Sequence, residues 1–376
     1  MKQVGMLFRG LSDDRKRPDG FYMSLVYMAP SFGIDLFMYR VEDVDFNSGT
    51  VNGRFFKEGK VVNKTVPVPK LTDNRVLNKR NAGLHEFFEK LAPLSYCPRA
   101  RVNISKIKQY RLYCENPEPR FEAYVIPTIE IGVAQELEAA FGQLKTGTII
   151  LKSAHGKMGR DISKITQLDG GNAYEVSKEG QTSQLRREEL SRFFEEQSLI
   201  VPLVQPCVNS RAQSMGGAPF DIRIRVQRIN STKYMADIYP RINANASAIA
   251  SNIHRGGFSM PLDAFLHLEY GEQATEVKEK LDDLARHFPR YFQQFLERPF
   301  FDLGIDVGVD RREDGSLQPK IFEVNGLPGG SGYLGERTGI NSVFATLEYY
   351  CYLWNRFIDD THPDYVGLTA QDRVVK

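Results

Sequence analysis

Two segments, FDLGIDVGVD and PKIFEVNG, flank the turn-forming run RREDGSLQ and constrain the fold of this chain more than any other feature. A strand sends alternate side chains to opposite faces. In the first segment Leu303, Ile305, Val307 and Val309 therefore share an apolar face, and Asp302, Gly304, Asp306, Gly308 and Asp310 share the other. In the return strand Ile321, Glu323 and Asn325 are predicted on one face, with Phe322 and Val324 facing the core. A hairpin then brings Asp306 near Glu323 and Asn325. Two carboxylates and a carboxamide oxygen make a hard-oxygen site suited to magnesium holding nucleotide phosphates, with the glycines beside Asp306 leaving room. A solvated polar face is the common alternative for such residues in antiparallel sheets. The backbone-rich NGLPGG that follows keeps both readings open.

The same alternation in DIRIRVQR places Asp221, Arg223, Arg225 and Gln227 on one face and Ile222, Ile224 and Val226 on the other. Guanidinium forks match phosphate and carboxylate oxygens, so Arg223 and the later Arg241 could face an anion held by the acidic hairpin. The plainer alternative is an Asp221–Arg225 pair on an exposed strand. Lys152 ends the apolar strand TIILK just before SAHGKMGR, and a lysine at a buried strand end needs an anionic partner. Gly156 and Gly159 would let backbone amides approach phosphates, although ordinary turns also show this spacing.

The remaining patterns narrow the class by exclusion. No GxxxxGK[ST] segment, HRD or DFG pattern, HExxH helix or GxSxG elbow occurs, which disfavours P-loop, protein-kinase, zinc-hydrolase and serine-hydrolase chemistry. His254 is the only histidine near a polar cluster, and a lone histidine is commonly a surface hydrogen-bonding residue. Lys plus Arg (49) nearly cancels Asp plus Glu (47), so neither a nucleic-acid nor a membrane partner is expected. Cys97, Cys114, Cys207 and Cys351 form no CxxC pair, and neither MKQVGMLFRG nor LIVPLV has the apolar length of a signal or a membrane span. A cytoplasmic protein with reduced thiols is expected.

A chain of 376 residues exceeds one ordinary core and should form two or three domains around a cleft. VGMLF and IDLFMYRV flank a helix near Phe21 to Met28, giving a small amino-terminal α/β unit (1–95) that includes the helical AGLHEFFEKLA. The helix ELEAAFGQLK and the strand TGTIILKSA belong to a central mixed domain (96–200). DIRIRVQRI, YMADIYPRI, an apolar helix from about Glu276 to Leu296 and the acidic hairpin form an antiparallel sheet with helices on one side (201–376). The FF, YFQQF and YYCYLW aromatics read as core.

In order, DNRVLNKR, SKIKQYRL leading to YVIPT, IILKSAHGKMGRDI, LVQPCV, PFDIRIRVQR, YPRI, SNIHRGG, LGIDVGVD and IFEVNGLPGG resemble the ATP-grasp superfamily. Within it the chain is similar to the YheC/YheD-like endospore-coat-associated branch and the ribosomal-protein glutamate ligase branch. The resemblance spans nearly the whole chain and implies an α/β (α+β) ATP-grasp fold with ATP between the last two parts. It implies that Lys106 and Lys152 contact the phosphates from the central domain, with Gly156 and Gly159 in a loop closing over them. Gln205, Pro206, Cys207 and Val208 would border the adenine, and Asp306, Glu323 and Asn325 would hold two Mg²⁺ ions, which Mn²⁺ can replace. Arg223, Arg241 and Asn252 would sit at the γ-phosphate and the reacting carboxylate.

Lys108 competes with Lys106 for the first lysine position, since both are expected on one strand face. Asp161 stands where relatives commonly continue the loop with glycine. The implied activity is an ADP-forming carboxylate–amine ligase acting on small-molecule, amino-acid or peptide substrates through an acyl phosphate, with a homodimer left open. A nucleotide-binding coat protein and a small-molecule phosphotransferase are the alternatives.

Overall fold

The computed structural model describes residues 1–8, 20–76, 82–98, 104–155, 161–249, 251, 257–296, 299–312, 314–326 and 339–368. The amino-terminal part comprises β1 (Lys2–Phe8), α1 (Gly20–Met28), β2 (Ile34–Arg40), β3 (Val44–Asp45), β4 (Thr50–Lys57), β5 (Lys60–Pro67), β6 (Leu71–Asn74) and α2 (Ala82–Leu91). Its sheet runs β3-β4-β2-β1-β6, with β5 on β4. β1 pairs in parallel with both β2 and β6, and α1 is the connection from β1 to β2. The chain is still tied to this sheet at Tyr96, whose backbone bonds Lys70 and Thr72.

Next come α3 (Lys106–Glu115), α4 (Pro119–Glu122), β7 (Ile129–Glu130), α5 (Ala134–Leu144), β8 (Thr148–Ser153), β9 (Ile162–Leu168), β10 (Ala173–Lys178), β11 (Gln181–Arg186), α6 (Leu190–Glu196) and β12 (Pro202–Pro206). The strands form an antiparallel sheet in the order β11-β10-β9-β8-β12-β7. Leu137, Ala140 and Phe141 on one stripe of α5 close over Ile149, Leu151 and Val204.

A third, antiparallel sheet holds β13 (Arg211–Ala212), β14 (Ala218–Arg228), β15 (Tyr234–Ile242), β16 (Asp302–Arg311) and β17 (Leu317–Gly326), with α7 (Leu262–Tyr270) and α8 (Ala274–Gln293) on one face. Val277, Leu281, Leu284, Phe288 and Phe292 recur on one stripe of α8 and are fully buried against Ile222, Ile224, Leu303, Ile305 and Val307. Burial of each such side chain contributes about 1.5–3 kcal/mol. The same core takes in Tyr113 of α3 and Phe121 of α4, so α3 packs on the third sheet.

The last helix, α9 (Gly339–Phe357), returns to the first unit. Val343, Leu347, Tyr350 and Leu353 pack with Val4, Met6, Leu25 and Val26, while Tyr349 stacks on Phe301 at 4.9 Å between ring centroids. α9 thus joins the amino-terminal unit to the start of β16.

The chain departs from simple alternation at the acidic hairpin. Asp306 pairs with Glu323 but Val307 pairs with Ile321, so Phe322 is an extra residue in a β-bulge. Ile321 and Val324 are both buried in the core, and Glu323 emerges on the opposite face. Phe322 was expected to face the core; instead its ring lies across Gly308, where an added Cβ would stand 2.2 Å from its Cζ. The room beside Asp306 at Gly308 is therefore filled by an aromatic ring.

Candidate functional site

Register explains how the polar face of the third sheet is assembled. β14 lies between β15 and β16, which puts Asp221 opposite Arg241 and Arg223 opposite Asp306. Arg223 grips Asp306 through Nε and, at 3.1 Å, Nη2. Arg241 donates to both Asp221 oxygens at 2.6 Å and also reaches Asp306 Oδ1 at 3.1 Å. Arg225 pairs with Asp302, its Nη2 lying 2.7 Å from Oδ2. The Asp221–Arg225 pair considered from sequence does not form, and the face is buried. Four residues along a strand span about 13 Å, whereas directly opposed residues lie about 5 Å apart.

This network of three arginines and three aspartates is charge-balanced, and the balance of burial and neighbouring charge falls in opposite senses at Asp306 and Asp221. Burial works against ionised Asp306, but the guanidiniums of Arg223 and Arg241 outweigh it and hold the group below the usual carboxylate range. Burial pushes Asp221 upward, with the charge of Asp306 adding to it against the pull of Arg241. Arg223 Nη1 is buried and has no partner among the described residues. One donor of the cluster is thus left over for an anion.

Asn325 donates its side-chain amide to Glu323 Oε1 at 2.9 Å and to Asp306 Oδ2 at 3.2 Å, so the hairpin brings all three oxygen-bearing side chains together. Lys106 Nζ lies 3.0 Å from Glu323 Oε2. That lysine sits at the first turn of α3, capped by Ser105, and not on a strand. Residues two apart on a helix do not face the same way. Lys108 is accordingly exposed, while Lys106 turns toward the hairpin.

A residue that sequence reasoning missed holds this arrangement: Gln109 accepts from Val324 N at 2.8 Å and donates to Val324 O at 2.9 Å. Its carboxamide substitutes for a neighbouring strand at the edge of β17. A polar residue one turn from a buried Tyr113 in SKIKQYRLY was the available signal.

Lys152, at the end of β8, is buried and forms no ion pair within 4 Å among the described residues. Burial, reinforced by the neighbouring charge of Lys106 and opposed by Glu323, brings its ammonium down from 10.5 to about 8. Lys152, Lys106 and Glu323 are therefore electrostatic neighbours although they come from different elements.

The chain crosses from β12 of the middle sheet to β13 of the third between Gln205 and Ser210; Gln205 donates to Thr128 Oγ1 at 2.7 Å, and Cys207 N to Thr148 O at 3.0 Å, anchoring this end of the crossover to the middle sheet. Asn209 N donates to Asp310 Oδ1 at 3.0 Å and Val309 N to Ser210 Oγ at 3.2 Å, anchoring the other end to β16. Pro206 and Val208 lie half-buried in the crossing segment. Gly156, Gly159 and Asn252 lie outside the described residues. Asp161, beside the first two, has φ of 57°, the left-handed conformation that a glycine there would adopt freely.

No His, Cys, Asp or Glu trio among the described residues forms a metal cage. Any cation at the hairpin would be held by two carboxylates, a carboxamide and oxygens of its ligand, a donor set that suits Mg²⁺. Among the described residues no helix is long and apolar enough to cross a membrane.

Comparison with known proteins identifies the family. The family model described as YheC/D like ATP-grasp matches residues 105–353. The endospore coat-associated protein YheD of Bacillus subtilis (strain 168) is 23% identical over 346 residues, covering 87% of this chain and 73% of that protein. The crystal structure of the D-cycloserine synthetase DcsG superposes with a TM-score of 0.50 at 13% identity, covering 93% of this chain and 99% of that one. The carboxy-terminal domain of K. lactis Pby1, an ATP-grasp enzyme, has a TM-score of 0.49 at 13% identity, covering 98% and 97%. With an α+β fold and a family match across most of its length, this chain belongs to the YheC/D-like ATP-grasp family.

Proposed function

We propose that this chain is an ATP-dependent ligase that activates a substrate carboxylate as an acyl phosphate and transfers the acyl group to an amine, releasing ADP and phosphate. The observation that carries the reading is the Lys106–Glu323 ion pair, with the buried Lys152 within electrostatic reach of both, beside the Asp306–Arg223–Arg241 network. Anion-binding and cation-binding groups face each other where three elements distant in sequence converge. A metal nucleotide, which carries both signs of charge, satisfies both.

In this reading Lys106 and Lys152 hold the phosphates, and the crossover from Gln205 to Val208 borders the base. The Phe322 ring offers an apolar surface beside the carboxylates on which a purine can stack. Asp306, Glu323 and Asn325 would hold Mg²⁺, which when bound neutralises phosphate charge. Asn325 would have to turn its carboxamide about the terminal torsion to present its oxygen, since its amide now donates to both carboxylates.

Arg223 Nη1 and Arg241 orient the substrate carboxylate. Its oxygen attacks the γ-phosphorus, the bond to the ADP oxygen breaks, and ADP leaves. The amine nitrogen then attacks the acyl carbon, the carbon–oxygen bond to phosphate breaks, and the amine gives up a proton. The chain contributes positioning and charge stabilisation, with no covalent enzyme intermediate.

The name of the Bacillus subtilis relative favours a second reading, a nucleotide-binding protein of a spore coat that does not turn over. ADP release measured across amino acids and short peptides, with mass spectrometry of the products, separates the two. A ligated product with stoichiometric ADP supports the ligase. A phosphorylated end product, or nucleotide binding without ADP release under every substrate, overturns it.

A further inference from the structure

Away from the hairpin, one charged group in the amino-terminal unit is left with unused donor capacity. Arg75 follows β6 directly, and its backbone N donates to Leu7 O, so it stands at the carboxyl ends of the parallel strands β1 and β6. Its side chain is nine-tenths buried. Nε is 2.7 Å from Asp73 Oδ2, yet Nη2 is buried and without a partner among the described residues. Asp73 is itself fixed by the Tyr350 hydroxyl of α9.

The surroundings add to the demand for an anion. The guanidinium carbon lies 5.9 and 5.5 Å from the ring centroids of Phe21 and Tyr22 in the first turn of α1. Since α1 starts at Gly20 on the carboxyl side of β1, the positive end of its dipole faces the same place. The crevice beyond the carboxyl ends of parallel strands is where α/β sheets commonly bind ligands. A planar fork held by Asp73 at Nε and by Tyr350 keeps Nη2 for an oxygen of a second carboxylate, and the Phe21 and Tyr22 rings lie beside it.

We infer that Arg75, with the amino terminus of α1, is a binding subsite for a substrate carboxylate that is not consumed. On the ligase reading, on which this rests, the amine substrate is an amino acid whose own carboxylate docks here. Asp73 and Tyr350 act as positioning residues that hold the fork in place. Because α9 also stacks Tyr349 on Phe301, immediately before β16, the subsite is braced to the strand that carries Asp306.

The test uses the full chain with thermal unfolding as readout, since a ligand bound only by the folded state raises the midpoint. The probes are Mg·ATP, an equimolar mixture of the common L-amino acids, and the same mixture as carboxamides. The wild-type chain should be stabilised by Mg·ATP, further by the acids, and not by the amides. Replacing Asp73→Asn together with Arg75→Gln removes both buried charges at once. This double variant should keep the Mg·ATP shift and need at least tenfold more of the acids for the same rise. Arg75→Lys, which keeps the charge but loses the fork, should fall between them. An unchanged response to the acids in both variants overturns the subsite, as does equal stabilisation by the amides or none by the acids. No shift with Mg·ATP sinks the ligase reading itself.

Discussion

Lys106 Nζ lies 3.0 Å from Glu323 Oε2, joining the start of α3 to the bulged return strand of the acidic hairpin. The pairing makes Glu323 the common neighbour of Lys106, Lys152 and Asn325. Glu323→Gln keeps the shape and removes the charge. Turnover should fall about 10²–10³-fold, by analogy with losing one transition-state charge contact. ADP release at saturating Mg²⁺, with folding checked by circular dichroism, measures this; near-wild-type turnover would exclude the hairpin as the metal site.

Lys152 supplies a pH test. Its ammonium in the folded chain titrates near 8, below its ordinary 10.5. Between those values the unfolded chain holds a proton that the folded chain has lost, so stability without nucleotide should rise as pH rises from 8 to 10.5. The full effect is roughly 3 kcal/mol, and Lys152→Met should abolish it. Stabilisation by Mg·ATP should decline over the same window, because the neutral amine no longer attracts phosphate. Urea denaturation at several pH values, with and without nucleotide, checks both slopes.

Gln109→Ala leaves Val324 N–H and C=O without their partner at the edge of β17. A stability loss of about 1–3 kcal/mol follows from the buried unpaired groups. Nucleotide affinity should fall as well, since α3 carries Lys106. Denaturation and calorimetry on the same variant report the two effects. Unchanged affinity with reduced stability would show that α3 does not position the site.

Gly308→Ala sets a methyl group against the Phe322 ring at 2.2 Å. Overpacking of this kind costs about 1–3 kcal/mol. The second change Phe322→Leu should restore most of it, because the ring tip is what collides. A double-mutant cycle with additive losses would remove the contact from the account.

Much of this was legible because it is local. Alternation in DIRIRVQR and FDLGIDVGVD correctly assigned the core faces, since side chains one residue apart on a strand must diverge. The acidic hairpin, the apolar helix read at about Glu276 to Leu296 (α8, Ala274–Gln293) and the antiparallel third sheet follow from the same periodicities. The segment after Ser105 read as a strand because its few apolar residues do not mark one helical face clearly; packing of Tyr113 into the third core decides for the helix.

The sequence by itself determined the long strands of the third sheet, which of the faces of DIRIRVQR and FDLGIDVGVD would be apolar, and that acidic, basic and amide groups would stand on the polar ones. Only the tertiary structure decided which of those groups meet. Asp221 bonds Arg241 rather than Arg225, and Glu323 reaches the polar face through the bulge at Phe322. Gln109 bonds a residue 215 positions away. Periodicity is a property of neighbouring residues, whereas register, bulges and docked helices depend on which surfaces close together, and no local run of side chains encodes that choice.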